Sequence, residues 1–134
     1  MRQEDRRILH AILGRGEGFG HRQHVELAWR YLGAHDSADD AAAAMAGAIR
    51  QVAAAHGQEA KFHETITRAW ARCVAVHAER WPADTFERFI ARNPQLLDSR
   101  LLDHFYSPER LAAPQARQSW VDPDRRPLPT LAAS

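Results

Sequence analysis

The sequence predicts an all-α protein: an up-and-down four-helix bundle, additional short C-terminal helices, and an extended Pro-rich tail. Apolar residues recur at helical spacing through four successive segments, the mark of helices that bury one face. No segment alternates apolar and polar residues as a half-buried strand would. Beyond residue 92, Asn93–Pro94, Ser107–Pro108 and Ala113–Pro114 repeat the signal for a short helix started by proline at its first position. A chain of 134 residues can bury a single core without disulfide or metal staples. The expected organisation is one helical domain over 1–120 and a tail over 121–134.

The first helix is expected over Gln3 to Leu13, where Ile8, Leu9, Ile12 and Leu13 form a face and Gly14 stops it. Gly14 to Gly20 carries glycine at 14, 16, 18 and 20 and reads as a flexible connection. No strand precedes it and no Gly-Lys-Ser/Thr ending follows, which argues against a nucleotide loop. A second helix runs from about His21 to Leu32. At about 100° per residue, His21, His24, Val25, Ala28, Tyr31, Leu32 and His35 share one face. Asp36 or Ser37 caps the third helix, whose run from Ala41 to His56 places Met45, Ala48, Ile49 and Val52 on one side before Gly57 ends it.

The fourth helix is expected over about Phe62 to Trp81, with Phe62, Ile66, Trp70, Cys73, Val74, His77 and Trp81 inward and Pro82 as the stop. A short fifth helix over Ala83 to Arg92 turns Phe86, Phe89 and Ile90 inward. Three prolines at 123, 127 and 129 forbid regular helix after Trp120. The tail is then either mobile or laid across the bundle through Trp120 and Leu128.

Charge and cysteine content narrow the function classes. The formal net charge is +1 with mixed signs along the chain, so no basic stripe for a phosphate backbone is evident and nucleic acid is not an expected partner. With no long apolar run and no signal-peptide core, neither a membrane nor export is expected, and the setting read from the sequence is cytoplasmic. The one cysteine, Cys73, leaves no internal disulfide and no multi-cysteine zinc motif. Arginine outnumbers lysine seventeen to one, a bias assigned to base composition.

Histidine carries the functional expectation. In an up-and-down bundle the starts of the second and fourth helices lie at one end, together with the ends of the first and third. His10, His21, His24, His56 and His63 all map there. His21 and His24, at i and i+3, can reach one ion from a single helix, and His63 from the parallel helix completes three nitrogens. Glu64 is the expected fourth ligand or general base, with Thr67 or His56 nearby. Such a set suits a transition metal ion (Zn, Fe, Ni or Cu) and would support hydrolysis or oxygen activation at an open position. Two other classes compete: a homodimeric interaction protein whose histidines cap helices or tune pH response, and an apolar small-molecule binder with a Trp-lined interior.

The segments Phe19–Gly20–His21–Arg22–Gln23–His24–Val25–Glu26, Lys61–Phe62–His63–Glu64–Thr65 and Tyr106–Ser107–Pro108–Glu109–Arg110–Leu111 resemble a group of small bacterial all-helical proteins with an HxxH…HET pattern. The likeness extends over about residues 19–129. It implies a self-contained bacterial domain and carries no activity with it.

Overall fold

A computed structural model describes residues 1–132, so positions 133 and 134 of the expected tail lie outside the described residues. Among the described residues the chain is all-helical, without strands. The helices are α1 (Gln3–Leu13), α2 (His21–Ala34), α3 (Ala38–Ala55), α4 (Glu64–Arg80), α5 (Phe86–Arg92), α6 (Pro108–Ala112) and α7 (Pro114–Gln118). Three 3₁₀ turns, Glu59–Lys61, Pro94–Leu97 and Leu101–His104, join them. None of these helices is long and apolar enough to cross a membrane.

Local chemistry sets the boundaries. Ser37 starts α3 by accepting from the Asp40 amide at 3.0 Å, and Thr85 and Ser107 do the same for α5 and α6. The fifth helix therefore begins at Phe86, three residues later than the apolar pattern suggests. Gly57, at φ 66°, closes α3 in a Schellman turn: the Gln58 amide donates to Ala53 O and the Gly57 amide to Ala54 O. A side chain there would strain the left-handed backbone. The side chain of Asn93 does not cap the Pro94–Leu97 turn. Its Nδ2 donates back to Phe89 O at 2.9 Å, and its Oδ1 is buried without a partner among the described residues.

The elements share one core. α2 packs against α1, α3 and α4, and α3 against α4. Ile12, Leu27, Tyr31, Met45, Ala48, Val74, Phe89, Leu96 and Tyr106 are almost wholly buried. Small residues on the buried side of α3 (Ala41, Ala48) let its neighbours come close. Trp81, expected inside, caps the end of α4 and is 42% exposed.

The segment after α7 has no regular structure as far as residue 132, and it lies on the core. Val121 and Leu128 are buried in the same cluster as α1–α4. Thr65 Oγ1 donates to Ser119 O at 2.9 Å and accepts from the Val121 amide at 3.1 Å. Tyr106 Oη donates to Val121 O, and Asp124 accepts from both the amide and the hydroxyl of Ser107. Of the two residues expected to anchor this segment, Leu128 does so, whereas Trp120 is 38% exposed.

Candidate functional site

The expected ligand residues are not assembled around a common point. Among the described residues no three His, Cys, Asp or Glu side chains form a group able to hold a metal ion. Each ring has a local reason. His21, edge-on to Trp70 with centroids 4.3 Å apart, donates from Nε2 to Leu96 O at 2.8 Å. His63 is the N-cap of α4: its Nδ1 accepts from the Ile66 amide at 3.1 Å, and its Nε2 donates to Leu111 O at 2.8 Å. That imidazole has no lone pair left for a metal. Leu96 and Leu111 lie in the last turns of the Pro94–Leu97 turn and α6, where helix carbonyls have no partner of their own. Two histidines read as ligands supply those missing donors.

Glu64 does not stand as a free base. One carboxylate oxygen receives Arg50 at 3.2 Å and the other receives Arg68 at 3.1 Å. Thr67 is buried on α4. His10 is exposed, and His77 donates from Nδ1 to Cys73 O at 2.7 Å. Burial pushes the Cys73 thiol up to about 12, which keeps it protonated and unreactive at neutral pH. His35 is committed as well, to Asp5 at 2.7 Å through Nε2, while its Nδ1 accepts from Arg2.

His24 differs from the other expected ligands. It makes an edge contact with Phe19, centroids 4.5 Å apart, and neither of its ring nitrogens has a hydrogen-bond partner among the described residues. Burial, with a smaller contribution from His21, lowers its pKa to about 4, so the ring is neutral at physiological pH. It opens onto a cleft of about 320 Å³. Phe19 from the glycine-rich connection, Ile49, Val52 and Ala53 from α3, and Phe62 from the start of α4 form its apolar wall. His56, Gln58 and Lys61 supply the remaining polar groups.

Sequence and fold explain why these residues meet. The connection over 14–20 contains Gly16 and Gly18 at φ 73° and 81°, which turn the chain so that Phe19 packs back on the core. The Schellman turn at Gly57 sends the chain through Gln58 and Lys61, so the end of α3 and the approach to α4 face one another. Phe62 is fixed from behind by the Arg50 guanidinium, 4.7 Å from its ring centroid. His56 donates from Nδ1 to Val52 O at 2.9 Å, which leaves its Nε2 uncommitted.

Two larger hollows, each about 540 Å³, lie elsewhere. Their charged groups are spoken for: Arg30 pairs with Glu26, Glu4 with Arg7, Asp5 with His35 and Arg50 with Glu64. Only the cleft at His24 joins apolar walls to a neutral, unpartnered, largely buried imidazole. Of the expected site residues it retains His24 alone, with His56 from the wider set. Phe19, Ile49, Val52 and Lys61 were not expected there. A sequence signal existed for Lys61, the single lysine in an arginine-rich chain.

These features define an all-helical protein with one ligand-sized, aromatic-walled cleft between the glycine-rich connection and the end of α3. No family model, no curated protein and no solved structure matches the chain.

Proposed function

We propose that the protein is a small-molecule-binding domain, an up-and-down bundle of α1–α4 whose ligand enters the cleft at His24. The observation that carries this reading is the hydrogen-bonding state of His24. A largely buried imidazole without a partner is costly to maintain in a folded protein, and a ligand group is the partner that the cleft can admit. The cleft volume of about 320 Å³ falls at the small end for ligand pockets, and mostly apolar walls with few polar groups are their usual make-up. The walls are phenylalanine and aliphatic residues, not the tryptophans anticipated for an apolar binder.

The transition-metal reading, with Zn, Fe, Ni or Cu on His21, His24 and His63 and Glu64 as base, ranks below this one. It requires His63 to surrender either its helix cap or Leu111 O, and Glu64 to leave two arginines. Elemental analysis of untagged protein tests it directly: stoichiometric metal, lost in His24→Ala, would restore it.

The binding reading is tested by amide chemical-shift mapping with a neutral probe, 4-phenylbutanol. For a ligand this small, affinity of about a millimolar is the expectation. Saturable shifts should cluster at Phe19, Ile49, Val52 and Phe62 and vanish in Ala53→Trp, which fills the cleft. Shifts scattered over the surface, or undiminished in that variant, would overturn it.

A further inference from the structure

Resting on the reading of the cleft as a ligand site, we propose that its ligand is a small monocarboxylic acid, with the carboxylate held by Lys61 and the apolar body against Phe19 and Phe62. Charge gives the sign. No aspartate or glutamate lines the cleft, and Lys61 has no carboxylate within 4.0 Å among the described residues. Glu59, in the same 3₁₀ turn, lines a different hollow beside Met1. Glu64 is neutralised by Arg50 and Arg68. Arg117 adds positive potential from behind, donating to Ala60 O at 3.0 Å and Phe62 O at 3.3 Å. The mouth of the cleft therefore favours an anion.

Donor count selects the kind of anion. The backbone around Lys61 is already used, with the Lys61 amide on Gln58 O and the Phe62 amide on Glu59 O. The Gly20 amide is taken by the Gln23 side chain at 2.9 Å. What remains is one ammonium group, which matches a monoanion. A phosphate monoester carries up to two charges and needs several donors, and no cluster of free amides or arginine forks faces the cleft to provide them. Deeper in, neutral His24 can hydrogen-bond a second polar atom on the ligand without adding charge.

The test compares 4-phenylbutyrate, 4-phenylbutanol and 4-phenylbutyl phosphate on the intact protein, titrated by amide shifts at pH 7 and low salt. The carboxylate should bind about five-fold tighter than the alcohol, as expected for one solvent-accessible charge pair, and lose that advantage in 150 mM salt. Lys61→Met should remove the preference and leave alcohol affinity unchanged, and Lys61→Arg should keep it. Alcohol binding at the cleft without carboxylate preference, or a preference that survives Lys61→Met, overturns the monocarboxylate assignment while the binding reading stands. Tighter binding of the phosphate ester also overturns it. If none of the three probes shifts the cleft residues, the binding reading fails and this assignment fails with it.

Discussion

The imidazole of His63 donates from Nε2 to the carbonyl oxygen of Leu111 across 2.8 Å, joining the first residue before α4 to the last turn of α6. The other nitrogen of the same ring caps α4 at the Ile66 amide. His63 is thus a clasp between two parts of the chain that are 48 residues apart in sequence.

His63→Ala is expected to lower stability by about 2–3 kcal/mol, the sum of a lost N-cap and a carbonyl left unpaired in a half-buried setting. His63→Asn should recover about 1 kcal/mol of this, because asparagine caps helices well but cannot reach Leu111. Urea unfolding of the three proteins measures both differences. Equal stability of the alanine and asparagine variants would refute the capping role.

Burial lowers the pKa of both His24 and His63, with His21 adding to the effect at the former and Arg117 at the latter; at His63 the hydrogen bond to Leu111 opposes it. A histidine whose folded pKa lies below its unfolded value resists protonation in the native state. Stability is therefore complete above about pH 6.5 and declines as the unfolded state takes up protons that the folded state refuses. For His24 the decline ends near pH 4 and amounts to about 2–3 kcal/mol. In His24→Gln the fall in stability between pH 7 and pH 4.5 should shrink by roughly 2 kcal/mol. An unchanged acid profile would show that His24 is not the buried neutral ring described.

Helix positions were legible because a 3.6-residue period leaves a trace in any sequence that buries one helical face. Ile8, Leu9 and Ile12, or Trp70, Val74 and Cys73, mark that face without reference to partners. The convergence of His21, His24 and His63 was not legible for the complementary reason. Angular position tells which way a ring points, but not which carbonyl waits for it. Leu96 O and Leu111 O come from short segments started by proline, whose docking no periodicity encodes. His24 was singled out correctly as an inward histidine, yet its neighbours Phe19 and Lys61 sit outside regular α-helix, where patterns of spacing say nothing.

The route of the residues after α7 shows the same division. Prolines 123, 127 and 129 announced an extended chain, while its attachment depends on Thr65, a residue read only as a local helix hydrogen-bonder. Thr65 is fully buried and exchanges hydrogen bonds with Ser119 and Val121. Thr65→Val keeps the shape and removes both bonds, leaving a buried amide and a carbonyl without partners, at a cost of about 1–3 kcal/mol. Limited proteolysis should then cut between residues 119 and 132 well before the helices. Cleavage kinetics matching the parent protein would show that Val121 and Leu128 hold the segment unaided.

Glu26 offers the sharpest test of how charge is arranged in the fold. Its side chain is 4% exposed and receives Arg15 in two bonds of 2.7 Å and Arg30 in one of 2.7 Å. Burial alone would raise its pKa, but the two guanidinium groups outweigh this and hold it below the ordinary glutamate value. Its stabilising effect is thus present above the unfolded pKa and lost as pH falls through the lowered one. The arginines are each well over a third exposed, so losing Glu26 returns them to water at little cost. Removing both arginines instead strands a carboxylate inside. Arg15→Ala/Arg30→Ala should therefore destabilise by about 3 kcal/mol or more at pH 7, and Glu26→Leu by less. At pH 3, where the carboxyl is protonated, the penalty of the double variant should largely disappear. If Glu26→Leu proved the more damaging change at pH 7, the glutamate would be contributing stability beyond neutralisation, and the loop carrying Arg15 would depend on it for its shape.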